Sequence, residues 1–145
     1  MKNSLKRHKG FTLIELIVVI VILGIMVTFA APKFIDLQSD ARTSVIRGVE
    51  GSIRSAATLV YSKSLINGTE ADATGTVAVT GGNVTTAYGY PTADTAGITA
   101  AIDLEGGVTD DGAGVFSLQT NCTVTYTAST AANVPPGISV VFSDC

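Results

Sequence analysis

The chain has 145 residues, room for one small domain once a membrane segment is set aside, and a formal net charge of −3. Its single histidine is His8, so beyond the first ten residues acid–base, triad and metal chemistry built on imidazole is excluded. From Thr69 to Cys145 there are eight Asp and Glu and no Lys or Arg, so this part lacks the cations that neutralise phosphates and is not read as a nucleic-acid surface.

Residues 1–10 (MKNSLKRHKG) hold Lys2, Lys6, Arg7 and Lys9 and no acid, a charged segment that keeps the N-terminus cytoplasmic by the positive-inside rule. An apolar run follows. Counted from Phe11 to Ala31 it is 21 residues long, against the ~20 that cross a ~30 Å hydrocarbon core as a helix. One carboxylate, Glu15, sits inside it. Ionised in lipid, it costs about 2.5–3.5 kcal/mol. A plain anchor has no use for that cost, so Glu15 is a functional candidate; the alternative is a position near the interface from which the carboxylate reaches water. In an ordinary secretory signal the cleavage site follows the apolar region. Here the small residue, Gly10, precedes it.

The string Gly10-Phe11-Thr12-Leu13-Ile14-Glu15 resembles the processing site of type IV prepilins. The resemblance implies that a membrane-embedded aspartic peptidase cuts between Gly10 and Phe11 and N-methylates Phe11. It also implies that Glu15 serves assembly by meeting the new N-terminal amine of a neighbouring subunit. The two groups are four residues apart in one helix, so the pair is also open to forming internally, and breaking such a buried pair costs roughly 3–5 kcal/mol. Loss of residues 1–10 removes four of the nine Lys and Arg and none of the twelve Asp and Glu, leaving five against twelve, a net of −7.

Pro32 follows the apolar run. Proline removes a helical hydrogen bond and crowds the preceding turn, so residues 24–32, which include Gly24 and Thr28, are read as a kink. The resemblance implies that the matching segment loses helix in an assembled pilus; the alternative is a bend at the membrane exit. From Lys33, the residues Phe34, Leu37, Ala41, Val45, Val49, Ile53, Ala57 and Val60 recur at helical spacing, predicting an amphipathic helix. Asp36, Asp40, Arg47, Glu50, Arg54 and Ser55 fall on its other face. Gly48 and Gly51 lower helix propensity; they are either tolerated or allow a neighbour close. Asn67-Gly68 supplies a stop, so one bent helix is predicted from about Phe11 to Ile66.

The remaining residues, rich in Gly, Thr and Ala, contain short β-like runs at 76–80, 84–90, 114–118, 122–129 and 138–143. Gly81-Gly82-Asn83 reads as a turn between the first two. Thr92 or Asp94 is placed to cap a short helix through Leu104, and Glu105-Gly106-Gly107 and Asp110-Asp111-Gly112 are loop signals. The resemblance implies an α+β pilin fold: a variable loop, then a small antiparallel sheet packed on the C-terminal half of the long helix. Tyr88-Gly89-Tyr90-Pro91 and the short helix are most similar to the mannose-sensitive haemagglutinin pilin group. The expected division is a cytoplasmic leader at 1–10, a hydrophobic filament-core helix at 11–31, an amphipathic helix at 32–68 and a β head at 69–145.

The two cysteines, Cys122 and Cys145, lie in a segment expected outside the cytoplasm, where disulfides persist. In an antiparallel hairpin paired numbers have a constant sum. Cys122 with Cys145 and Ser129 with Ile138 share the sum 267, which predicts a cross-strand bridge with its hairpin loop at 130–137; the alternative is two free buried thiols. Such a bridge also matches the disulfide-bounded C-terminal loop of the family (122–145 here).

Three N-glycosylation patterns, at Asn67, Asn83 and Asn121, are what a Thr-rich chain gives by chance. Asp110 and Asp111 in the 103–112 loop carry the right chemistry for calcium, though two acids beside glycines are more often a solvated turn. No nucleotide-binding loop, CxxC pair or nucleophile elbow occurs, so no cofactor, no metal and no enzymatic activity are expected.

These features together read as a pilin subunit: inserted singly in the inner membrane with its N-terminus inside, then polymerised into an extracellular pilus for attachment. The resemblance implies as partners further copies of the chain, the prepilin peptidase and methyltransferase, an inner-membrane assembly platform with minor pilins, and a surface or host-cell glycan. The alternatives are a type II secretion pseudopilin, disfavoured by the cysteine pair; a DNA-uptake pilin, disfavoured by the acidic head; and an exported domain cleaved near Ala30.

Overall fold

The computed structural model describes residues 10–104 and 106–145, and no side chains at 31, 32 or 34–36. Residues 1–9 of the leader, the side chains of Pro32 and Phe34, and Glu105 therefore lie outside the described residues; the backbone at 24–32, where a kink is expected, is helical throughout. The chain separates into two units, Met1–Gln38 and Ser39–Cys145.

One helix, α1, runs over Leu13–Asn67, close to the predicted limits. In the first unit every side chain from Phe11 to Ala30 is exposed, and Leu13–Ala30 is the one described helix long and apolar enough to cross a membrane. Its lone hydroxyl, Thr28, donates to the Ile25 carbonyl at 2.7 Å, so the helix satisfies its own polar group as a lipid-facing segment must. α1 ends in a Schellman cap: Gly68 at φ +70° donates to the Leu65 carbonyl, and Thr69 to that of Ser64.

The second unit is α+β. After α1 come β1 (Gly75–Val79), β2 (Gly82–Ala87), β3 (Tyr90–Pro91), a short α2 (Ile98–Ala101), β4 (Thr109–Asp110), β5 (Val115–Gln119), β6 (Cys122–Thr127) and β7 (Gly137–Val141). They form two antiparallel sheets, β1-β2-β3 and β4-β5-β6-β7, where the sequence predicts one. Asp110, read as loop, instead pairs with Phe116 in a two-residue strand. The first turn is Thr80-Gly81, because Val79 pairs with Gly82, so Gly82 and Asn83 belong to β2. The next is a two-residue turn at Tyr88-Gly89, both at positive φ, the mirror-image hairpin type whose twist suits flanking strands. A Cβ at Gly89 would stand 2.9 Å from the Glu70 Cα, so this turn needs glycine for space as well as for φ.

The sheets are joined by side chains. Tyr126 of β6 donates its hydroxyl to the Pro91 carbonyl of β3 at 2.8 Å, in a buried position. Ser64, fully buried, ties α1 to the Gly89 carbonyl at 2.9 Å. Tyr61 stacks on Tyr90 with ring centroids 4.3 Å apart. The main core joins Ile46, Val49, Ile53, Ala56 and Ala57 of α1 to Ile98, Phe116, Val124 and Tyr126; Val60, Val77 and Val84 make a second cluster under the smaller sheet. The predicted stripe is corrected at its start. Ile46 is buried, whereas Leu37 is exposed and Val45 half-exposed, because a run at spacing four drifts off a face that turns every 3.6 residues.

The helix expected to reach Leu104 is only α2. Asp94 shapes the turn before it by accepting from the Gly97 N–H at 2.7 Å, and Ile102 is already extended.

Candidate functional site

Gly10, Phe11 and Thr12 precede α1 and are exposed, with Phe11 at 87%. The peptide bond between Gly10 and Phe11 therefore lies outside the helical hydrogen-bond ladder. α1 starts with a reciprocal cap. The Thr12 N–H and hydroxyl each donate to a Glu15 carboxylate oxygen at 2.8 Å, and the Glu15 N–H donates back to the Thr12 hydroxyl at 3.3 Å. This is a capping box, which satisfies two orphan donors of the first turn and sets the carboxylate at the positive end of the helix dipole. The sequence signal was present in Thr12-x-x-Glu15, and reading Glu15 only as the partner of an amine misses it.

Around that carboxylate, Phe11, Ile14, Glu15, Val18 and Val19 line a shallow groove of about 320 Å³. An acid is thus framed by apolar side chains four residues after Phe11. Of the residues singled out from the sequence, Gly10, Phe11 and Glu15 share this end of the helix.

Residues 5–31 match the family model of the prokaryotic N-terminal methylation motif. The chain carries a prepilin-type N-methylation motif. Its N-terminal part is homologous to type IV pilins: it is 50% identical over 50 residues to a type IV narrow pilus major component of Thermus thermophilus, covering 34% of this chain and 43% of that one. Two fimbrial proteins of Pseudomonas aeruginosa are each 49% identical over 45 residues, 31% of this chain and 28% of theirs. The matches thus span less than half the length of these relatives. No solved structure matches. The haemagglutinin subgroup receives no support from these similarities, whereas the α+β arrangement of a long helix and small antiparallel sheets is pilin-like.

The second predicted pair is also brought together. Cys122 and Cys145 form a disulfide with Cα atoms 5.0 Å apart, but not as strand partners. Thr123 pairs with Val141 and Thr127 with Gly137, a register sum of 264 rather than 267. β7 ends at Val141, and a turn closed by the Cys145 N–H on the Phe142 carbonyl carries Cys145 back to Cys122. Two cations of α1 hold this return: Arg42 reaches the Cys145 carbonyl at 3.5 Å, and the Arg47 guanidinium lies 5.5 Å from the Phe142 ring centre. Neither contact is legible from spacing.

The carboxylates considered for calcium are engaged in the fold. Asp110 accepts from the Thr99 hydroxyl at 2.6 Å and the Gly112 N–H at 2.9 Å, and Asp111 accepts from the Ala113 and Val115 N–H groups.

Proposed function

We propose that this chain is a type IV prepilin that is cut between Gly10 and Phe11, N-methylated on Phe11, and polymerised into an extracellular pilus. The observation that carries this reading is the exposed apolar helix whose fifth residue after Gly10 is an acid. From Phe11 to Ala30 every side chain is uncovered, a surface far larger than a soluble monomer leaves bare. Cleavage removes the cationic leader that pins the helix in the inner membrane with its N-terminus inside and creates an ammonium beside the Glu15 groove. Docking of that ammonium, from a second copy, would neutralise the carboxylate and set the stagger between rods. The acidic unit then faces water.

The partners follow from this: further copies of the chain, a prepilin peptidase and methyltransferase, and an inner-membrane assembly platform with minor pilins. Within the family we place the chain with the haemagglutinin-type major pilins, on the Tyr88-Gly89-Tyr90-Pro91 hairpin and the short α2. Pro32 is proposed as the point where α1 yields during assembly, since its ring removes one helical hydrogen bond.

Mass spectrometry of the N-terminus of the protein recovered from its native envelope tests the reading. N-methyl-Phe11 is the expected start. A chain beginning at Met1 or Ala31 overturns it.

A further inference from the structure

A strand without a neighbour leaves backbone donors and acceptors bare, and such an edge invites another chain unless it is guarded. The two sheets have four edge strands, β1, β3, β4 and β7, and three are guarded. The outer side of β1 is capped by Lys63, whose Nζ donates to the Ala78 carbonyl at 2.9 Å. β3 and β4 are only two residues long, and the Pro91 carbonyl of β3 is taken by the Tyr126 hydroxyl.

β7 is different. Successive residues of a strand turn their N–H and C=O toward opposite neighbours. Tyr126 donates its N–H to the Gly114 carbonyl, so Val124 and Tyr126 face β5, and Thr123, Thr125 and Thr127 face β7. The register then ties Gly137, Ser139 and Val141 to β6 and turns the N–H and C=O of Ile138 and Val140 outward. These outward groups have no backbone partner among the described residues. Nor does charge guard the edge: no Asp, Glu, Lys, Arg or His occurs between Gly112 and Ser143. Beyond Gly68 the exposed large apolar side chains among the described residues are Val134, Val141 and Phe142, all in β7 or within three residues of it.

We propose that β7 is a self-pairing edge, which joins β7 of a second copy antiparallel about a two-fold axis at Ser139. Ser139 then faces Ser139 of the second copy, and Ile138 faces its Val140. The latter are hydrogen-bonded pairs, so every outward N–H and C=O finds its match, and two β-branched side chains meet across each pair. The same register carries Phe142 of each copy to Pro136 of the other, which covers the exposed ring. A second copy is the occupant because each otherwise presents acids: two such units approach without repulsion along this uncharged side. A two-fold contact closes after two copies, whereas a fibre grows by a head-to-tail one. The β7 contact therefore ties neighbouring fibres side by side, and in that consequence alone the inference rests on the proposed polymerisation.

Sedimentation of the full chain in detergent, with micelles in large excess over chains, tests the contact without a filament. The wild type is expected as a monomer–dimer equilibrium. Ser139→Lys and Ser139→Asp each set like charges directly opposite one another and should weaken dimerisation by roughly fivefold; an equal mixture of the two should restore it at low salt. Ser139 is exposed, and matching melting curves show that the variants are folded. Lysine also lowers the net negative charge, so general repulsion between acidic units predicts the reverse, tighter association of Ser139→Lys. Amide exchange reads the register: as concentration rises, Ile138 and Val140 should gain protection, while Ser139 and Val141 are protected throughout. A wild type that stays monomeric overturns the proposal. So does equal association of all the chains, which the apolar helix alone would produce, or a dimer in which Ile138 and Val140 gain no protection. A chain that pairs in this way yet forms no filament fails the earlier reading and leaves this one standing.

Discussion

Thr12 and Glu15 cap each other: the threonine N–H and hydroxyl hold the carboxylate at 2.8 Å, and the Glu15 N–H returns the bond to the hydroxyl. Glu15 thus has a cap that needs an acceptor, separable from the proposed pair with an ammonium, which needs a charge. Glutamine preserves the first, since Gln serves at this position of a capping box, and removes the second. Filament yield from Glu15→Gln is expected to fall as far as from Glu15→Ala, with both variants still processed and inserted. Wild-type filament yield from Glu15→Gln shows instead that the cap is the duty that matters.

Tyr126 is the polar link between the sheets. Tyr126→Phe keeps the ring in the core but leaves the buried Pro91 carbonyl without its donor. Stranding a buried acceptor costs about 1–3 kcal/mol, so the second unit of the full chain in detergent should melt roughly 4–8 °C lower per kcal/mol lost. Thermal melting followed by near-ultraviolet circular dichroism measures it. An unchanged midpoint would show that the hydrogen bond carries no net stability.

The same side chain predicts an alkaline limit. Burial, with the neighbouring Tyr90, pushes the Tyr126 phenol above its ordinary range; burial, then Tyr61, raises Tyr90. Both groups are neutral when protonated. Below the unfolded pKa of about 10 folded and unfolded chains carry the same protons, and the stabilisation is fully present. As pH rises past that value the unfolded chain ionises first, so stability falls progressively through the folded pKa. Denaturant midpoints should be flat from neutral pH to about 10 and drop above it, and Tyr126→Phe should show a shallower drop.

What the sequence discloses about this fold is mostly what local chemistry decides. Gly10 to Glu15, the uncharged run after it and the Asn67-Gly68 stop act within a turn or two of the chain, so their roles can be read from neighbours in sequence. Strand ends at 122 and 138 were legible within a residue for the same reason. Register was not, because it depends on where β7 stops and on a turn at 142–145 that Arg42 and Arg47 brace from a distant helix. The division into two sheets was equally hidden: β3 is an edge strand paired with β2, and it meets the second sheet through the Tyr126–Pro91 side-chain bond rather than a strand ladder, which leaves no periodic trace.

The return of Cys145 to Cys122 outside the strand register gives the last prediction. A bridge between true strand partners is backed by ladder bonds on both sides, so its reduction leaves the hairpin in place. Here Cys145 lies beyond β7 and is otherwise held by the Phe142 turn, the 3.5 Å contact to Arg42 and the Arg47–Phe142 stack. Surface contacts of that kind are individually weak. Opening a loop with cysteines 23 residues apart costs about 3 kcal/mol in the chain-entropy model. Cys145→Ser is therefore expected to lower the unfolding free energy by that amount, read from the drop in denaturant midpoint at unchanged m. Amide exchange should rise at residues 142–145, while the Thr123–Thr127 ladder with β7 stays protected in what remains folded. If exchange instead rises equally through β6 and β7, the bridge holds the whole hairpin and the three braces at its end carry nothing.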